Sequence, residues 1–253
     1  MATGGWGRSS VPLTLILLLG CGCVPDTVQV KTTPYFTPDQ VGTVALVPFD
    51  VLTTPQGASY PPRSITPPDV GPSAIRRSFE ITPSPSPTRL GSGLVTIPPG
   101  AAEKITEMVY AKLLARTGIQ TISLSKTAQS VTNMESTGRE IQANEMARWL
   151  GKSLSADAAL FGLVRVYRER AGSEIAATPA AVGFEMQLVR AVDGAVLWVG
   201  NYYEEQKPLT EDLRGFLERR GKFVTAEELA QSGVNRLMQR FPLGLGRAPG
   251  AGT

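Results

Sequence analysis

The stretch VGFEMQLVRAVDGAVLWVGNYYEEQ, residues 182–206, decides how this chain is read. Val182, Phe184, Met186 and Leu188 alternate with Gly183, Glu185 and Gln187, which is the period of a β-strand. Val192-Asp193-Gly194 then carries one of the strongest short-range hairpin signals, and residues 195–203 supply the returning strand. Upstream, AALFGLVRVY at 158–167 is long and apolar enough to be a third strand.

Working outward, residues 139–154 place Ile141, Met146, Trp149, Leu150 and Leu154 broadly on one side of a helix. QTISLS at 120–125 reads as a strand. Residues 100–116 form an amphipathic helix through Ile105, Met108, Val109 and Leu113, with Gly118 as its stop. VGTVALVPFD at 41–50 is β-branched and apolar on both faces, as a buried central strand is. Downstream, Thr210 before Glu211 and Asp212 opens a helix carrying Leu213, Phe216 and Leu217. Thr225 and Glu228 have the spacing of a capping box ahead of Leu229, Leu237 and Phe241, closed by Pro242. The order β-α-β-α-β-β-β-α-α predicts an α+β (α/β) domain over 41–242: a mixed sheet of about five strands with packed helices. A tail at 243–253 is too poor in apolar residues to pack.

Two segments fall outside that scheme. Residues 51–99 hold 11 of the 20 prolines, so few backbone donors are left for helix or sheet; this is a Pro-rich insertion. It contains short apolar islands, Phe79-Glu80-Ile81 and Leu94-Val95-Thr96-Ile97. These either add as strands to a neighbouring protein's sheet edge or pack back over their own domain.

The other segment is the start. VPLTLILLLGCGC, residues 11–23, is too short to span a hydrocarbon core, which needs about 20 residues; it suits the apolar region of an export signal. Leu18-Leu19-Gly20-Cys21 resembles the bacterial lipobox. That resemblance implies cleavage between Gly20 and Cys21, a signal peptide over 1–20, and a diacylglycerol plus an N-acyl chain such as palmitate on Cys21. Two or more chains make an anchor stable where one does not. Gly22, where an Asp would favour the inner membrane, implies the outer membrane, with the domain facing the periplasm. Residues 21–40 are then a polar tether. The 17 residues from Val24 to Gln40 span roughly 55–60 Å if extended at about 3.3–3.6 Å each.

Composition removes several activities. The chain has no histidine, and its two cysteines, Cys21 and Cys23, sit in the leader region. The usual general base, the usual zinc ligands and a disulfide framework are therefore missing. A net charge of +3 without a basic run is not the footprint of a nucleic-acid binder. The expectation is a non-enzymatic protein with no metal and no cofactor beyond its covalent lipid.

TVALVPFD, LGKSLSADAALFGLVRVYRER and the 182–206 hairpin together resemble envelope lipoproteins related to the curli-secretion lipoprotein, the penicillin-binding-protein activator lipoproteins and the N-terminal domain of TolB. The shared pattern is Pro48-Phe49, then Ala156-Asp157-Ala158 with Gly162, then Leu188, Asp193-Gly194 and Leu197-Trp198. The resemblance implies an outer-membrane scaffold that acts by protein contacts, as an assembly factor, secretion accessory or regulator of a cell-wall synthase. Its alternative is a subunit of an oligomeric secretion channel; an envelope enzyme using carboxylates is the third reading.

Candidate contact residues for an envelope partner are Phe79, Ile81, Val95 and Ile97 in the insertion, and whichever of Tyr202 and Tyr203 faces outward. Trp198 reads as core. Glu204 and Glu205 leave a strand on opposite faces and cannot share a substrate. Arg165, Arg168, Glu169 and Arg170 read as surface ion pairs. Arg219, Arg220 and Lys222 read as a small solvated basic cluster.

Overall fold

The computed structural model describes residues 27–34, 36–52, 97–136, 138, 141–171, 178–206 and 223–246. The leader with Gly20 and Cys21, the islands at Phe79, Ile81 and Val95, the helix expected at 210–217 and Arg219, Arg220 and Lys222 lie outside these residues.

Among the described residues the chain forms nine strands: β1 (Val28–Thr32), β2 (Thr43–Leu46), β3 (Asp50–Val51), β4 (Arg116–Thr117), β5 (Gln120–Thr121), β6 (Ala158–Arg168), β7 (Ala181–Arg190), β8 (Val196–Glu205) and β9 (Leu245–Gly246). Its helices are α1 (Ala101–Leu114), α2 (Leu124–Glu135), α3 (Ala143–Leu154) and α4 (Ala226–Gln239). Seven strands make one mixed sheet in the order β1-β8-β7-β6-β2-β5, with β3 beside β6. The β6-β7-β8 meander is antiparallel, while β2 runs parallel to both β6 and β5. This is the α+β class the sequence predicts, with more strands than the five expected.

Helices cover both faces of the sheet. On the first, Ile105, Val109 and Leu113 of α1 and Leu229, Val234 and Leu237 of α4 bury against Leu160, Val164, Phe184, Met186, Leu188, Trp198 and Tyr202. On the second, α2 and α3 bury Val131, Met146, Ala147 and Leu150 against Ala45, Ala159, Phe161 and Val189. The capping box at Thr225 and Glu228 is formed, with both reciprocal hydrogen bonds present.

Several residues of the motif pattern quoted above have a structural task. Asp157 Oδ2 accepts from the Gly42 and Thr43 amides at 3.0 and 2.8 Å and so fixes the start of β2. Gly162 leaves the space taken by the Phe49 ring: a Cβ there would stand 2.3 Å from Phe49 Cε1. Phe49 in turn meets Phe184 edge-on at 6.3 Å. Trp198 is fully buried with Phe241 perpendicular to it at 5.2 Å. These residues mark a packing arrangement.

The structure corrects several expectations. Residues 21–40 are not a free tether throughout, because Val28–Thr32 pairs along β8 as the sheet's edge and Pro38–Gln40 forms a 3-10 turn. The strand expected at 120–125 shrinks to two residues, and α2 follows at once. Its helix was hidden because two of its three buried positions are polar, Thr127 and Ser130. The helix expected from 139 begins at Ala143. The insertion contributes its first residue, Val51, to the sheet, and Ile97 packs against the α1-side core rather than standing free. The tail starts later than 243. Leu243 is buried, β9 pairs with β4, and the Arg116 guanidinium donates to the carbonyls of Met238, Phe241, Leu243 and Gly244.

Candidate functional site

The second face of the sheet changes character along its length. Near the start of β6 and the end of β7 it is apolar and covered by α2 and α3. Towards the end of β6 it turns polar yet stays buried. Glu185 and Gln187 project from β7 opposite to Phe184, Met186 and Leu188, and are 4% and 0% exposed. Leu163 and Val199, their neighbours across the ladder, are buried as well.

A β-bulge builds the centre of this region. The β6–β7 register shifts between Val164 and Val166, so Arg165 is the extra residue. A bulge re-aims a side chain out of the normal alternation, and here Arg165 reaches Glu185. Its Nε and Nη2 donate to Glu185 Oε2 at 3.0 and 2.6 Å. This is a buried pair, with side-chain exposures of 10% and 5%, and it corrects the expectation of a surface ion pair.

Among the described residues the other carboxylate oxygen, Glu185 Oε1, has no hydrogen-bond partner, nor does either polar atom of Gln187. Burial pushes the Glu185 carboxyl up to about 7, outweighing the Arg165 charge and hydrogen bond that pull it down. Loss of hydration is the largest influence on a buried acid, and one cation on one oxygen does not restore it. The Glu185 carboxyl therefore holds a proton to a higher pH than an exposed glutamate does.

Beyond the bulge the row continues to the sheet's end. Gly183 lies under the Tyr203 ring, where a Cβ would come within 2.9 Å of Cδ2. The Tyr203 hydroxyl donates to Glu205 Oε2 at 3.0 Å, and Arg168 Nη2 to Glu205 Oε1 at 2.8 Å. On the opposite face, Tyr202 is buried, its hydroxyl 2.9 Å from both Glu204 Oε2 and the Leu229 carbonyl. Burial, with the Glu204 charge next, raises its phenol above the ordinary range. Tyr202 is thus a core residue, not a contact residue, while Tyr203 is half-buried on the polar face. Glu204 and Glu205 are separated by the sheet.

The arrangement offers hydrogen-bonding and charge, with no nucleophile held by a base. Among the described residues no group of three or more Asp, Glu, Cys or His could hold a metal ion, and no helix is long and apolar enough to cross a membrane. The alternation of Gly183, Glu185 and Gln187 is visible in the sequence and marks a strand, but nothing in it says that the polar side of that strand is buried. The bulge at Arg165 leaves no sequence signal.

No family model matches the chain, and no curated protein matches it. Several solved structures are similar. The PelC dodecamer from Paraburkholderia phytofirmans is 12% identical with a TM-score of 0.45, over 86% of this chain and 98% of that one. Lipoprotein GNA1162 from Neisseria meningitidis is 13% identical with a TM-score of 0.36, over 71% and 96%. The LpoB C-terminal domain from Salmonella enterica is 12% identical with a TM-score of 0.35, over 69% and 88%. Likenesses this distant assign neither partner nor task.

Proposed function

We propose that the chain is a bacterial envelope lipoprotein, held in the outer membrane by diacylglycerol and N-acyl lipid on Cys21 and facing the periplasm. It serves there as a non-catalytic scaffold for assembly, secretion or control of a cell-wall synthase. The lipobox-like Leu18-Leu19-Gly20-Cys21 supports the anchor. The observation that carries the protein-contact reading is the polar row running from Gln187 and Glu185 to Tyr203, where three buried polar atoms lack partners among the described residues. Buried polar groups are hydrogen-bonded in the great majority of folded proteins. Glu185 and Gln187 are buried within the chain itself, so the part of the row open to another polypeptide is its rim, where Tyr203 is half-buried.

Two measurements test this. Metabolic labelling with a palmitate analogue is expected to mark the wild type and not Cys21→Ala, which also leaves the membrane fraction; equal labelling refutes the anchor. A photo-crosslinking residue at Tyr203, on the rim of the polar row, is expected to capture one or a few envelope proteins in living cells. The same residue at Val192, on the far hairpin turn, is not. Equal capture from both positions refutes the polar row as the contact surface.

A further inference from the structure

We propose that the outer edge of β1 takes an extended, acidic segment of another protein as a further strand of the sheet. This is a second contact surface, separate from the rim at Tyr203 and independent of the lipid anchor.

The ladder between β1 and β8 fixes which groups of the edge strand face outward. The Tyr203 amide donates to the Thr27 carbonyl at 3.1 Å, and the Thr33 amide to the Leu197 carbonyl at 3.0 Å. Between them the register runs without a shift, from Val28 opposite Tyr202 to Thr32 opposite Trp198. Hydrogen-bonded and non-hydrogen-bonded positions alternate along an antiparallel pair. Gln29 and Lys31 therefore direct their amides and carbonyls to β8, while Val28, Val30 and Thr32 turn theirs away from it. Arg240 agrees with that direction, since its Nη1 donates to the Val28 carbonyl at 2.7 Å. The backbone groups of Val30 and Thr32 have no partner among the described residues. Val30 is 37% exposed, and Lys31 and Thr32 are exposed as well. Sheets commonly blunt such an edge with a proline, a bulge, a cover or a lysine. Within β1 the device present is Lys31.

That lysine, with α4, decides what can pair. A second copy of the chain fits badly in each antiparallel register. Centring on Gln29 or Val30 needs the Val28 carbonyl, which Arg240 holds. Centring on Lys31 sets two lysines directly opposite each other, where like charges oppose pairing. Centring on Thr32 brings Val30 against Pro34, which has no N–H to donate. An acidic strand meets none of these obstacles. Lys31 stands on one face of the edge, and on the other stand Arg240 and Arg236 of α4, the latter reaching Thr27 Oγ1 at 2.6 Å and Glu204 at 3.3 Å. A carboxylate directly across from Lys31 favours pairing by the same rule that a second lysine opposes it. Backbone hydrogen bonds then supply the attachment, and the charge opposite Lys31 supplies the choice.

The test titrates the full chain, in detergent micelles, into a fluorescein-labelled peptide of about seven residues that alternates Val and Thr about a central Glu. A second peptide carries Lys in place of that Glu, and binding is read by anisotropy. The Glu peptide is expected to bind several-fold more tightly, and Lys31→Glu should reverse the order. Val30→Pro should abolish both, because it removes an outward N–H and leaves the bonds to β8, a place where an edge strand tolerates proline; an unchanged thermal midpoint shows that the variant is folded. No binding of either peptide to the wild type at about 1 mM overturns the proposal, as does equal binding of the two, or an order that Lys31→Glu leaves unchanged. Binding that survives in folded Val30→Pro overturns the edge as the site. Self-association of the chain that Val30→Pro abolishes makes a second copy the occupant and overturns the acidic partner. Should Val30→Pro fail to fold, the reversal by Lys31→Glu decides.

Discussion

Replacing Glu185 by Gln should remove a pH dependence of stability that the wild type carries. In the folded chain this carboxyl holds its proton up to about pH 7, against 4.5 for an ordinary glutamate. Between those values the native state binds more protons than the unfolded state, so stability falls as pH rises. The full effect is present below pH 4.5, is lost through the interval, and stays lost above 7. At roughly 1.4 kcal/mol per pH unit the interval corresponds to about 3 kcal/mol. Asp193 acts in the opposite sense, its pKa lowered by its hydrogen bond to Arg190, but only below about pH 4. Urea unfolding of the two proteins at pH 5 and pH 8, followed by the fluorescence of the buried Trp198, gives four free energies. Wild type should lose about 2–3 kcal/mol more than Glu185→Gln between the two pH values. Slopes agreeing within about 0.5 kcal/mol would mean that Arg165 or penetrating water compensates the buried charge fully, and the reasoning would be wrong.

Other outcomes follow from the same packing. Gln187→Leu removes an unpartnered amide from a fully buried position and should raise stability by about 1–2 kcal/mol in urea titrations. Gly162→Ala forces a methyl into the Phe49 ring and should cost about 1–3 kcal/mol, read as a lower thermal midpoint. Arg116→Ala abandons four carbonyls at the α4 terminus and should cost about 3 kcal/mol; hydrogen exchange near residues 243–246 should accelerate well before that of the β7–β8 hairpin.

What was legible in the sequence had a local cause. The β7–β8 hairpin showed itself because Asp193-Gly194 supplies a residue at φ 73° between two strands with apolar alternation. α4 showed itself because its cap is written in two residues three apart. α2 was hidden, since Thr127 and Ser130 face inward and Ser130 accepts from Trp149 Nε1, a contact with no sequence period. β1 carried a faint sign, Val28 and Val30 alternating with Gln29 and Lys31, that the neighbouring prolines obscured. The polar row was least visible of all. Alternating Glu185 and Gln187 is what a solvated strand face looks like, and only the tertiary arrangement around β7 makes those positions dry. The bulge that swings Arg165 towards Glu185 depends on a register between two strands, which no single stretch encodes.

The pairing of β1 with β8 also sets an order of events. Val28 and Tyr202 are partners across most of the chain, whereas β6, β7 and β8 are joined by neighbouring turns. Closing the longer loop costs more entropy before any contact rewards it. The meander should therefore form first and the edge strand join last, with β1 amides gaining protection latest in pulsed hydrogen exchange. A chain that ends before residue 196 therefore leaves Val28–Thr32 with no strand to pair with, and only the arrival of β8 turns that stretch from a loose end into the sheet's closing edge.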